Sequence, residues 1–122
     1  MAQHPDLLYL GNMLDSSRPA VQYDHAVTQG EFLRSPSLID AVVYRIQCIG
    51  ESVGHVSQNT RLLHTHIPWR QIVGMRHRIV HDYVNVKPTI VWDVVSNELP
   101  KLIEQLAGFV PDNPPEDDSW HP

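Results

Sequence analysis

Residues 35–56 read SPSLIDAVVYRIQCIGESVGHV, and their spacing decides the fold class. Ser35 followed by Pro36 is a helix start: a hydroxyl accepts from a free amide of the first turn, and a proline there forfeits no bond. Leu38, Val42, Ile46, Ile49, Val53 and Val56 then recur every three or four residues. On a helix they form one apolar stripe about five turns long. Alternation with period two is scarce along the whole chain, so strands explain little of the pattern.

Outward from this segment the same logic holds. Upstream, a helical stretch begins near Pro5 and Asp6 and carries Leu7, Leu10 and Leu14. Pro19 marks either a kink or a restart capped by Ser16 or Ser17, and Thr28 caps a short turn through Glu31 and Phe32. Downstream, the polar residues 57–67 interrupt the stripe. Pro68 opens a segment to about Tyr83, with Trp69, Ile72, Val73, Ile79 and Val80 as packing candidates. Pro88 opens a last helix that carries Ile90, Val91, Val94, Val95, Leu99, Leu102, Ile103 and Leu106 and bends at Pro100. The expectation is an all-α antiparallel bundle of about four main helices plus one or two short ones. It occupies residues 1–109, followed by an acidic, proline-rich and disordered tail, 110–122.

A length of 122 residues leaves room for one compact domain. Apolar runs stop at four residues, Leu7–Leu10 and Ala41–Tyr44, against the roughly 20 that span a bilayer, so no membrane role is expected. The N-terminus lacks a basic region followed by an apolar one, and the single cysteine, Cys48, cannot form an internal disulfide. Both point to a reducing cytoplasm, with Cys48 as a small core residue. The net charge of -5 is uneven. Asp112, Glu116, Asp117 and Asp118 lie in the tail, whereas Arg45, Arg61, Arg70, Arg76, Arg78 and Lys87 face only Glu51 and Asp82 between residues 45 and 87. Five of the eight histidines share that stretch. A polyanion responds to such local potential rather than to total charge.

Residues 76–83, RHRIVHDY, gather two guanidiniums, two imidazoles, a carboxylate and a phenol. Imidazole exchanges protons near neutral pH, and the planar fork of arginine fits phosphate oxygens. Together they suffice, without a metal, for attack of an RNA 2′-hydroxyl on its neighbouring phosphate. Arg76 and His81, however, are five apart, about 140° round an ideal helix and about 7.5 Å along it. Either the helix unwinds near His81, or a two-fold axis brings two copies together. Tyr83, seven beyond Arg76, falls nearly above it, so a group added to Tyr83 would project close to the arginine; alternatively Tyr83 is a boundary residue. His77 and His81 at i, i+4, with His64 and His66, also match a metal-ligand spacing, but no glutamate or cysteine cluster supports it. Glu51, beside Gly50, is either a buried partner for an arginine or a residue on the stripe's edge.

Arg76-x4-His81-x-Tyr83 within WRQIVGMRHRIVHDY, preceded by IGES at 49–52 and followed by IVWDVVSNELPKL at 90–102, resembles the HepT-like toxins of the HEPN superfamily. The resemblance covers roughly residues 6–107. It implies a homodimer whose two Arg-x4-His motifs face each other, and a metal-independent ribonuclease with catalytic Arg76 and His81; His77 and Glu51, read from the residues beside them, are added as supporting candidates. It also implies a partner, a small MNT-type nucleotidyltransferase antitoxin, that uses ATP to place AMP on Tyr83; the chain itself needs no cofactor. Position 77, often Asn in the family, is His here, and Gly11-Asn12 stands where an acid is common. From residues alone, a non-catalytic substrate-binding or regulatory subunit of a nucleotidyltransferase remains the alternative.

Overall fold

The computed structural model describes residues 4–111. Its helices are α1 (His4–His25), α2 (Gln29–Leu33), α3 (Pro36–His55), α4 (Gln58–Leu63), α5 (Trp69–His81), α6 (Pro88–Asp93) and α7 (Leu99–Ala107). A 3-10 turn at Tyr83–Asn85 follows α5, and a π turn at Val94–Glu98 joins α6 to α7. Taken as one bent rod, 88–107 makes four long helices beside the short α2 and α4, with no strand among the described residues. The all-α bundle is therefore as expected. Residues 112–122 of the acidic tail lie outside the described residues. Among those described, no helix is long and apolar enough to cross a membrane.

The central element is α3, packed between α1 and α5, while α7 and the π turn lie along α1 and α2 braces α3 and α6. Its stripe is the reason: Val42, Ile46, Ile49, Val53 and Val56 are buried, and only Leu38, nearest the start, is half-exposed. They meet Leu10, Met13 and Leu14 of α1, Phe32 of α2, Ile72 and Ile79 of α5, and Leu99, Leu102 and Leu106 of α7 in one core. Both partners run antiparallel to α3, because Asp6 at the start of α1 touches Ser57 beyond the end of α3, and Asp40 early in α3 touches Tyr83 beyond the end of α5.

The expected caps form. Ser35 Oγ accepts from the Leu38 amide at 3.3 Å, and Thr28 with Glu31 makes a reciprocal capping box. Three expectations need correction. First, α1 runs through Pro19 without a restart. The Ser17 hydroxyl donates to the Met13 carbonyl at 2.7 Å instead of capping a new helix. Second, the polar stretch 57–67 contains α4. Ser57 caps it, and the carboxylate of buried Asp6 accepts from the Ser57 amide at 2.8 Å and from the hydroxyls of Ser57 and Thr60, each at 2.6 Å. A carboxylate reaching across more than 50 residues supplied the order that local polarity hid. Third, Val73 is 40% exposed and does not pack, because the buried face of α5 runs through Trp69, Ile72 and Ile79.

The bend lies just ahead of Pro100, whose missing N–H breaks the ladder, and the Leu99 amide bonds the Val94 carbonyl five residues back. Ser96 on this turn donates to buried Asp24 of α1 at 2.7 Å. At the other end of the bundle, Arg61 donates to the carbonyls of Val53 and Val56, at 2.5 and 3.1 Å, closing the last turn of α3. Phe109 stacks on His64 at 3.6 Å and Val110 is buried.

Candidate active site

Where α3 crosses α5, a β-carbon added to Gly50 would lie 2.3 Å from both Cβ and Cγ of Arg76. No side chain fits there. The stem of Arg76 therefore lies directly on the α3 backbone, and its Nη2 donates to Glu51 Oε1 at 3.2 Å. Gln47 supports the same oxygen from one turn away, at 3.4 Å. Glu51 thus pairs an arginine, as one of the two sequence readings held, but it does so at the surface: its side chain is 54% exposed, against 27% for Arg76. The guanidinium Nε is buried without a partner among the described residues. An unpaired donor costs stability, about 1–3 kcal/mol, which this packing sustains in order to fix the arginine.

His81 is the last residue of α5, which stays helical to that point. Unwinding within the motif is thus excluded as the way to unite Arg76 with His81. Arg76 is drawn inward against α3, whereas His81 is exposed and its ring faces His77, centroids 4.4 Å apart. The chain alone brings together Arg76 with Glu51, and His77 with His81, but not the two pairs with each other. Arg78 and Arg70, both exposed, carry no ion pair among the described residues, so the outer surface of α5 stays cationic. No cluster of three or more metal-ligating side chains occurs among the described residues. The spacing of His77 and His81 therefore gains no third ligand from the fold.

Tyr83 sits on the 3-10 turn, 42% exposed, and its hydroxyl donates to the Asp40 carboxylate. That hydrogen bond, then burial and the charge of Asp40, raise the phenol above its usual pKa of 10.0. Asp40 lies eleven residues before Glu51 on α3, about 16 Å along the axis. Tyr83 is thus held against α3 at the level of Asp40, while Arg76 is held at Gly50 and Glu51. Asp40 and the role of Gly50 were not legible beforehand. The signal for Gly50 was a glycine interrupting an apolar stripe beside a carboxylate; for Asp40 there was none.

The profile of the family described as "Ribonuclease HepT-like" matches residues 13–108, which contain every element of this site. The chain belongs to the HepT-like family. Relatives agree. The HepT-like chain is 33% identical over 99 residues to a Methanocaldococcus jannaschii protein named "Gamma-glutamylcyclotransferase and putative RNase". The match covers 81% of this chain and 45% of that one, so the chain spans about half of that relative. It is 30% identical to a "Putative RNase" of Caldanaerobacter subterraneus subsp. tengcongensis, covering 80% of this chain and 88% of the relative. It is also 26% identical to a "Probable ribonuclease HepT" of Thermococcus cleftensis, covering 77% and 86%. No solved structure gives a significant match.

Proposed function

We propose that this HepT-like chain is the toxin of a toxin-antitoxin pair, a cytoplasmic, metal-independent RNA endonuclease that acts as a homodimer. The observation that carries the reading is the Arg76 clamp. Gly50 and Glu51 pre-position a phosphate-binding fork at a fixed depth, while a proton-exchanging imidazole, His81, stands exposed on the same helix. In cleavage, the 2′-oxygen attacks the adjacent phosphorus, the bond to the 5′-oxygen breaks, and a 2′,3′-cyclic phosphate and a 5′-hydroxyl remain. His81 moves the protons, and Arg76 balances the charge gathered on phosphorus. His77 packs beside His81 and orients it.

One chain holds Arg76 and His81 apart, so the complete site needs a second copy. The outer face of α5 supports this. Val73 on that face is 40% exposed, and Gly74 beside it has open space where a side chain would stand. Two such faces can approach closely and enclose two Arg76–His81 pairs in one cleft.

For regulation, a nucleotidyltransferase antitoxin transfers AMP from ATP to Tyr83. The phenolic oxygen attacks the α-phosphorus, pyrophosphate leaves, and Asp40 already accepts the hydrogen of that oxygen. Because Tyr83 stands well along α3 from the Arg76 clamp, the added nucleotide acts by filling the mouth of the cleft with bulk and negative charge.

The test is cleavage of a labelled single-stranded RNA by the purified chain in chelator, with Arg76→Ala and His81→Ala beside it. Both variants should lose cleavage, and the products should carry cyclic phosphate ends. Undiminished cleavage by His81→Ala sinks the assignment. For Tyr83, intact mass after incubation with the antitoxin and ATP should rise by whole AMP units, and Tyr83→Phe should show no rise.

A further inference from the structure

The Arg76 clamp opens on its far side into a groove of about 370 Å³ between α1 and α3. Its walls are Tyr9, Asn12 and Asp15 of α1 with Tyr44, Arg45 and His55 of α3, and Glu51 closes it toward Arg76. The carboxylate that holds the catalytic arginine at 3.2 Å is thus also a wall of this groove. A group seated there lies one side chain from the guanidinium.

The lining has a particular chemistry. The rings of Tyr9 and His55 are already stacked, with centroids 4.5 Å apart and planes 14° from parallel, so one side of the groove is a preformed flat surface. Tyr44 is 59% exposed, an unusual outlay for a large ring on the central helix of a bundle. The Arg45 guanidinium carbon sits 5.8 Å from the Tyr44 ring centroid, and no ion pair engages Arg45 among the described residues. Aromatic faces, an available cation, and the amide and carboxylate of Asn12 and Asp15 are what a nucleotide needs: a surface for the base, a charge for the phosphate, and acceptors for ribose hydroxyls or base amines. A drug-like apolar ligand would want fewer carboxylates, and a free phosphate would leave the rings unused.

We infer that the α1–α3 groove is a nucleotide subsite, which seats the base of an RNA residue next to the scissile phosphate on Tyr44 and its neighbouring phosphate on Arg45. This rests on the proposed cleavage at Arg76 and His81 and adds to it the path of the substrate. RNA enters along α3 and is held beyond the cleft by stacking, so binding tolerates base identity but requires unpaired strands.

The experiment separates the subsite from the chemistry. Binding is measured on the full chain carrying His81→Ala, so that RNA stays intact, with a single-stranded RNA containing 2-aminopurine. Tyr44→Leu in this background should weaken binding about tenfold and abolish the stacking-induced loss of 2-aminopurine fluorescence. Tyr44→Trp should preserve both. Arg45→Gln should weaken binding and flatten its salt dependence. Because Tyr44 is exposed, the thermal melts should coincide, and this is checked by circular dichroism. Equal binding by Tyr44→Leu and its parent, or no RNA binding by the parent, overturns the subsite. If the wild-type chain fails to cleave while the Tyr44 and Arg45 effects persist, the nuclease reading falls and the subsite stands.

Discussion

Replacing Gly50 by alanine adds a single methyl group, at the point where the stem of Arg76 lies on the backbone of the central helix. The added carbon would sit 2.3 Å from Arg76 Cβ and Cγ, where an ordinary contact is 3.4–4 Å. The obstruction is the base of the arginine rather than its flexible end, so no rotamer change relieves it. The helices α3 and α5 must part by more than an ångström, or Arg76 must leave Glu51. Overpacking of this kind costs about 1–3 kcal/mol, and alanine returns about 0.5–1 kcal/mol because glycine is a poor helix former. The net loss, roughly 0.5–2 kcal/mol, should lower the melting temperature by roughly 3–10 °C in a domain of this size. Activity should suffer more than stability, because a displacement of about 1 Å in a positioned group can cost about 100-fold.

Gly54→Ala is the control on the same helix, since a β-carbon there meets nothing within 4 Å. It should leave cleavage unchanged and raise the melting temperature slightly. Far-UV circular dichroism gives the melts, and a fluorogenic RNA gives the rates. If Gly50→Ala melts no lower than Gly54→Ala and cleaves at the wild-type rate, the close packing of Arg76 is not what fixes the site.

Asp6 is 3% exposed. Burial opposes its charge, but hydrogen bonds from Ser57 and Thr60 and the nearby Arg61 together hold its carboxyl below the usual 3.8. Its contribution is therefore present above that value and lost as pH falls through the lower folded one; Asp6→Asn should cost about 1–3 kcal/mol at neutral pH by denaturant titration and blunt the acid transition. The Tyr83 phenol, raised by its bond to Asp40, should ionise above the usual 10.0 in an ultraviolet titration and shift down in Asp40→Asn. The stability this bond supplies is complete below 10.0 and disappears as pH rises through the folded value. His64 is held below its usual 6.5 by burial and by His66. The bundle should therefore lose stability as pH falls below 6.5, and His64→Phe, which keeps the ring on Phe109, should reduce that loss.

The parts of the fold that were legible are those encoded locally. The Ser35–Pro36 cap, the stripe from Leu38 to Val56 and the Thr28–Glu31 box are each written within a few residues, and each formed. The parts that were not legible depend on partners distant in sequence. Near Gln58 the local signal for α4 is the cap residue Ser57 alone, and the carboxylate that holds Ser57 and Thr60, Asp6, belongs to α1. Val73 is as apolar as a core residue, yet the buried face of α5 runs through Trp69, Ile72 and Ile79 and leaves it outside. For the site, residue types and motif spacing singled out Arg76, His81 and Tyr83 as candidates, and left Glu51 undecided between burial and edge. The structure gives Glu51 the pairing of one reading and the exposure of the other.

The same crossing explains why a short motif needs a whole bundle around it. A guanidinium on a free helix samples many rotamers, and ordering it on a phosphate costs side-chain entropy. Here that entropy is lost on folding, because Gly50 removes the space and Glu51 supplies the partner. The cost of fixing the arginine inward is that its helix must present His81 outward, since α5 stays regular through residue 81. An intervening bend would unite the two groups but would release Arg76 from the packing that orders it. Order at Arg76 and the outward position of His81 thus go together within one copy of α5, and under the proposed function the exposed face of Val73, Gly74, His77 and His81 is the one that a second copy would cover.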